Sequence, residues 1–183
     1  MADILTFPDP VLRQCAVSVA EITSEIQTHI DLLIDAMHRG PGGVGIAAPQ
    51  IGVCRRIVVV DCSLARHSCK HHGQLVMINP EILTQSGQVM GREGCLSVPD
   101  WVATVPRAKK ISVRYINEAG EICELMSSQF EARVIQHEID HLDGVLFIDR
   151  VVSSRDMVRR MVDAYIETAA EAAVETTTAT SLS

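Results

Sequence analysis

Apolar residues recur at helical spacing near the start of the chain. Within residues 24–39 the apolar positions are Ile26, Ile30, Leu33, Ile34 and Met37. This spacing predicts an amphipathic N-terminal helix that packs on a core. Ser24 is the expected N-cap, and Gly40 with Pro41 ends the helix. The preceding residues 1–23 predict an irregular, partly extended segment.

A second helical pattern, over residues 129–142, carries two histidines on its apolar side. Its stripe consists of Phe130, Val134, His137 and His141. Ser128 and Glu131 have the spacing of a capping box, and Gly144 suits the position after the last turn. Two inward imidazoles one turn apart would repel if protonated and would bury polar rings if neutral. A shared metal ion removes both problems.

A third helical pattern covers residues 154–172. Its apolar positions are Val158, Met161, Val162, Tyr165, Ile166 and Ala169. Arg155, Arg159 and Arg160 stand in its first half and are interpreted as a solvated face. Residues 173–183 are expected to form a disordered tail, and residues 1–172 a single domain.

Shorter apolar and alternating runs between the helices predict β-strands. They cover residues 56–61, 75–78, 81–90, 101–105, 109–116, 121–126 and 145–148. Asn117 and Gly120 bound a turn that joins two of these runs into a hairpin. The middle of the chain is therefore predicted to be mostly antiparallel β.

Composition narrows the class of protein. The 183 residues are 47% hydrophobic with a formal net charge of -7, which disfavours direct DNA binding. The N-terminus resembles neither a signal nor a transit peptide, and no apolar run is long enough to cross a membrane. A cytoplasmic protein is the expectation. The six cysteines are accordingly expected to be reduced.

Two groups of metal-ligand residue types stand out. In His137-Glu138-x-x-His141 the imidazoles lie on one helix face and the carboxylate can reach a water on a shared metal. The other group lies in residues 62–74 and consists of Cys62, His67, Cys69, His71 and His72. Its spacing matches no tetrahedral pattern, so residues 62–74 are interpreted as a solvated loop.

A catalytic site of this kind needs a third ligand. Phe147 stands where one peptidase pattern has a third histidine, and the downstream candidates Glu167, Glu171 and Glu175 lack a supporting pattern. Cys95 is the better candidate, because it lies in a turn-like pentapeptide beside Gly94. A thiolate with two imidazoles suits Fe(II) and Zn(II) alike.

Three motifs together resemble the peptide deformylase family. Residues 43–50 resemble its G-Φ-G-Φ-A-A-x-Q loop, residues 93–97 its E-G-C-L-S, and residues 137–141 its H-E-x-D-H. The order and spacing agree from about residue 6 to about residue 150. Without the other two motifs, the glycine-rich residues 40–52 are equally consistent with a flexible connection.

The resemblance implies an α+β fold in which antiparallel sheets pack around a central helix bearing the H-E-x-D-H motif. It implies removal of the formyl group from the N-terminal formyl-methionine of newly made polypeptides. The ligands would be Cys95, His137 and His141, with Fe(II) as the working ion and Zn(II), Ni(II) or Co(II) able to substitute.

The resemblance also implies roles for residues around the metal. Glu138 would be the general base, and the Gln50 side chain and Leu96 backbone N–H would stabilise the oxyanion. The peptide would lie along Val44 and Gly45.

Further expectations concern the pocket and its surroundings. Phe130 and Val134, on the histidine stripe, are expected to wall the methionine pocket, and Glu93 is expected to pair with Arg107. Ribosome binding through residues 154–172 is a further hypothesis, since some bacterial members dock a basic C-terminal helix there. The alternatives are a peptidase or other zinc hydrolase, and an inactive relative that serves as a binding module.

Overall fold

The computed structural model describes residues 2–160, which form an α+β fold with an antiparallel sheet. Its helices are α1 (Ser24–Arg39) and α2 (Gln129–Leu142). Its strands are β1 (Gly45–Ala47), β2 (Ile57–Asp61), β3 (Gln74–Cys95), β4 (Val98–Ile116), β5 (Ile122–Ser128) and β6 (Met157–Arg159). None of the described helices is long and apolar enough to cross a membrane.

The sheet runs in the order β1-β2-β3-β4-β5. Strand β3 pairs along one edge of β4, so β5 and β6 share the other edge, at opposite ends of β4. Helix α2 contacts β1, β2, β4 and β5, and its apolar side packs into the core that they line. Helix α1 covers a separate cluster with Ile30, Leu33 and Met37, each fully buried.

Helices α1 and α2 match their predicted bounds, but the capping interactions at their N-termini differ from the prediction. Thr23, not Ser24, caps α1, because its hydroxyl accepts from the backbone N–H of Ile26 at 3.4 Å. Ser128 occupies the cap position of α2 without a side-chain cap bond. Glu131 does not complete a capping box there, because its carboxylate accepts from the Ser127 hydroxyl at 2.7 Å.

The short strands predicted between residues 75 and 116 are in fact two long ones. β3 continues through Asn79 and Pro80, where the pairing register shifts and Asn79 adopts a φ of 51°. The Asn79 side-chain oxygen accepts from the Val19 N–H at 2.8 Å and its amide donates to the Val19 carbonyl at 2.8 Å. A β-bulge held in this way lets the strand bend without ending.

Two predictions for the end of the described chain are wrong. Residues 145–148 are not a strand, since Phe147–Arg150 is a 3-10 helix whose buried Phe147 fills a cluster beside Cys95. The helix predicted at 154–172 is absent from residues 154–160, where Met157–Arg159 pairs with the free edge of β4. Pairing with that edge of β4 gives the backbone N–H and C=O groups of Met157–Arg159 hydrogen-bond partners and half-buries the Met157 side chain. These contacts outweigh the preference for helix that the spacing of apolar residues indicates. The remainder of that helix and the predicted tail at 173–183 lie outside the described residues.

Candidate active site

Strand β3 and helix α2 bring three metal-ligand side chains together. Cys95 ends β3, while His137 and His141 lie one turn apart on α2. One ligand atom from each lies within 4.8 Å of the others, and all three residues are buried. The Cys95 Sγ is 3.2 Å from His141 Nε2. Within residues 2–160 this is the single cluster of three or more such groups close enough to share an ion.

His137 is oriented by a buried carboxylate. Its Nδ1 lies 2.9 Å from Glu93 Oε2, which leaves Nε2 to face Cys95. A hydrogen bond to the far ring nitrogen fixes the tautomer and orientation of a ligand histidine. The predicted pairing of Glu93 with Arg107 is confirmed, by two bonds of 2.9 Å.

Glu93 is ionised although it is buried. Burial raises the pKa of its carboxyl, but hydrogen bonds from Arg107 and His137 lower it well below the usual range. Arg133 adds a second guanidinium donor, with its Nη1 2.7 Å from Glu93 Oε1. Arg107 also donates to Asp140 on α2 at 2.5 Å, so this network ties the ligand strand to the ligand helix.

The donor set fits a divalent transition metal. A thiolate and two imidazoles are soft or borderline ligands typical of zinc and iron. Burial lowers the pKa of His141 well below its usual range, so His141 presents a neutral nitrogen. Glu138 Oε2 is buried and, among the described residues, makes no hydrogen bond. A buried polar atom without a partner beside three metal ligands indicates a missing water or ion.

Glu138 lies on α2 between the two histidines and faces β1. Its carboxylate is so close to Gly45 that a Cβ there would be 2.5 Å from Oε1. Burial raises the pKa of Glu138 to about 7. A carboxylate with a pKa near neutrality can both accept and return a proton at neutral pH.

Three hydrogen bonds hold the Gln50 side chain beside Cys95. Gln50 belongs to the 3-10 turn Ala48–Ile51, and its Oε1 accepts from the Ala47 N–H at 2.8 Å. Its Nε2 donates to Ser97 Oγ at 3.1 Å and to Cys95 Sγ at 3.6 Å. The run at 40–52 is therefore not a flexible connection, since it contains β1 and a buried turn. No role was predicted for Ser97, although it lies inside the E-G-C-L-S motif.

The predicted substrate-binding residues line one cleft beside the ligands. Val44, Gly45, Phe130 and Val134 lie along it, with Leu96 at the ligand end. The cleft has a volume of about 200 Å³ and is also lined by Gln50, Cys95, His137 and Glu138. His141 lies behind them, almost fully buried.

No role in the site was predicted for the three arginines that line the cleft or for His67 beside it. Arg160 was expected on a solvated face and His67 in a solvated loop. Arg92, Arg133 and Arg160 line the cleft itself. His67, from the long 62–74 loop, packs edge-on against Phe130 with ring centroids 4.7 Å apart. No local pattern marks these residues, because each reaches the cleft through long-range packing.

The histidine- and cysteine-rich loop at 62–74 forms no metal cluster within the described part of the chain. His72 instead pairs with Glu131, through its Nδ1 at 2.7 Å and its backbone N–H at 2.7 Å. Cys69 donates to the Cys62 carbonyl at 3.5 Å. These contacts tie the loop to the start of α2.

Comparisons with known proteins agree on one family. The family model for polypeptide deformylase matches residues 1–157. A peptide deformylase of Acidobacterium capsulatum is 42% identical over 160 residues, covering 87% of this chain and 92% of that protein. One of Thermomicrobium roseum is 42% identical over 174 residues, covering 94% of this chain and 97% of that protein.

Solved structures show the same likeness. The peptide deformylase of Legionella pneumophila superposes with a TM-score of 0.77 at 38% identity, over 85% of this chain and 88% of that one. A class I type b peptide deformylase of Acinetobacter baumannii, solved with Met-Ala-Ser bound, gives a TM-score of 0.76 at 34% identity, over 82% and 98%. Because the family model covers residues 1–157 and these relatives are 42% identical over most of its length, the chain belongs to the polypeptide deformylase family.

Proposed function

We propose that this protein is a metal-dependent hydrolase that removes the N-formyl group from the N-terminal formyl-methionine of newly made polypeptides. The observation that carries the proposal is the buried Cys95, His137 and His141 cluster, which shares a cleft with Glu138 and Gln50. The catalytic unit would be one domain over residues 1–172, working in the cytoplasm where formylated chains are made.

Cys95, His137 and His141 would hold the metal, with Fe(II) preferred and Zn(II), Ni(II) or Co(II) as substitutes. Such an ion supplies Lewis acidity and makes water a stronger nucleophile near neutral pH. Glu93, kept anionic by Arg107 and His137, holds His137 in the tautomer that presents Nε2.

The protein groups would carry the proton transfers. The Glu138 carboxylate accepts a proton as water adds to the formyl carbon, and then delivers it to the amine as the C–N bond breaks. Formate and a free N-terminus are the products. The Gln50 Nε2–H and the Leu96 backbone N–H donate to the developing oxyanion, and Ser97 with the Ala47 N–H keeps the Gln50 amide in one orientation.

The peptide would bind as an extended strand against β1. This strand stands at the end of the sheet order and, among the described residues, pairs with β2 alone. Its remaining edge, at Val44 and Gly45, can hydrogen-bond an incoming backbone. Phe130 and Val134 would accept the methionine side chain. The Acinetobacter baumannii relative with bound Met-Ala-Ser supports this class of ligand.

The test is anaerobic reconstitution with Fe(II), followed by turnover of formyl-Met-Ala-Ser. Wild-type protein should release formate without cutting internal peptide bonds. Glu138→Ala should lower kcat by about a hundredfold or more while retaining metal, and Cys95→Ala should lose the metal. Glu124→Ala, which removes an exposed carboxylate on β5, is the matched control. Equal turnover by wild type and Glu138→Ala would show that the assigned base is wrong.

A further inference from the structure

Two arginines at the cleft carry charge that the described protein does not neutralise. Arg92 on β3 and Arg160 after β6 both line the cleft and are exposed. Neither forms an ion pair within residues 2–160. The third cleft arginine, Arg133, differs because it is buried and bonded to Glu93.

Arg160 reaches the cleft because of the strand that replaced the predicted helix. β6 pairs with β4 so that Arg159 lies opposite Trp101, and the Arg160 N–H donates to the Asp100 carbonyl at 2.7 Å. The backbone is thus attached to the sheet next to the ligand strand. The Arg160 side chain then crosses toward Gly94, where an added Cβ would be 2.8 Å from its Nη2.

That contact places the Arg160 guanidinium beside the residue that precedes Cys95. Glycine at position 94 is what permits the close approach, because any side chain there would displace Arg160. Arg92 stands two residues earlier on the same strand. Both charges therefore lie beside Cys95 in the cleft that would hold the extended peptide.

We infer that Arg92 and Arg160 select substrates with a carboxylate side chain within the first few residues after the formyl-methionine. This inference rests on the proposed deformylase function and adds a specificity to it. A guanidinium binds a carboxylate through paired N–H donors. In a protein of net charge -7, a local pair of exposed cations also attracts an anionic chain to this cleft.

The test compares pentapeptide amides that differ in one residue. Formyl-Met-Ala-Asp-Ala-Ala amide and its Asn counterpart have nearly the same shape, and the amide removes the C-terminal carboxylate as a rival source of charge. Peptides with the Asp at the second or fourth position test which peptide residue lies beside the two arginines. The wild-type holoenzyme should favour Asp over Asn by about three- to tenfold in kcat/KM at low salt, mostly through KM. The preference should shrink at high salt.

The double variant Arg92→Gln and Arg160→Gln should bring the Asp/Asn ratio in kcat/KM close to one while keeping the wild-type metal content. The control is Arg155→Gln, which removes an exposed charge from the turn before β6 but not from the cleft, and it should retain the wild-type ratio.

Three results would overturn the inference. A wild-type ratio of one at every Asp position, or a full ratio in the double variant, would refute it while leaving the deformylase function intact. Absence of turnover on both peptides by wild-type protein would overturn the proposed function as well.

Discussion

Adding a single methyl group at Gly45 should disable the proposed base without unfolding the protein. An alanine Cβ at this position would lie 2.5 Å from Glu138 Oε1 and 2.8 Å from Val134 Cγ1. Ordinary contact begins near 3.4 Å, so the carboxylate must move by about 0.9 Å. Misplacement of a catalytic group by about 1 Å costs on the order of a hundredfold in rate. Gly45→Ala is therefore expected to lower kcat about a hundredfold.

Steady-state deformylation of formyl-Met-Ala-Ser, with metal content and melting temperature measured on the same samples, tests this expectation. Metal content should stay at the wild-type level, because the three atoms nearest to the added Cβ belong to Glu138 and Val134 and not to the candidate ligands. Gly52→Ala is the control, since its φ of +79° makes alanine strained but only Leu5 lies within 4 Å. It should lose stability by about 1 kcal/mol and keep kcat. If Gly45→Ala kept kcat within threefold, the position assigned to Glu138 would be refuted.

Two further predictions concern stability and thiol chemistry. Arg107→Met should lower the free energy of unfolding in urea by about 3–5 kcal/mol, because it leaves the buried Glu93 without its main partner. The control Arg114→Met, which breaks an exposed ion pair, should lower it by less than about 1 kcal/mol. Equal losses in the two variants would contradict the role given to the buried network. Burial raises the pKa of the Cys62 thiol from 9.0 to about 12, so its thiolate fraction at pH 8 is about one in ten thousand instead of about one in ten. At pH 8, iodoacetamide should therefore label the exposed Cys15 in the native protein but not Cys62. Labelling of Cys62 should require urea or a pH near 12. Equal labelling rates for both cysteines in the native protein at pH 8 would refute the burial argument.

Local signals were sufficient for the two interior helices and for the chemistry of the site. The bounds of α1 and α2 follow from apolar stripes that end at cap residues, and these depend on neighbours within a few positions. The candidate metal-ligand side chains of Cys95, His137 and His141 could likewise be identified in the sequence, because His137 and His141 share one helix face. Cys95 was the better candidate for the third ligand because of its turn-like pentapeptide, and the motif resemblance implied the same ligand.

Element lengths in the sheet depended on tertiary contacts. Asn79 reads as the end of a strand, yet its side chain bonds Val19, sixty residues away, and β3 continues past it. Residues 157–159 lie in a segment with helical spacing of apolar residues, but they form backbone hydrogen bonds with the unpaired edge of β4. A local helical pattern gives no information about that edge. In both cases the deciding partner lies far along the chain, where periodicity carries no information.

The sequence by itself determined which atoms could bind a metal and which carboxylate could move a proton. The tertiary structure decided how those atoms are held and what surrounds them. It buries Glu93 among Arg107, Arg133 and His137, which keeps the carboxylate charged. It also brings Arg160 to the cleft through a strand pairing. Charge compensation and close approach depend on distances through space, and these exist only once the chain has folded.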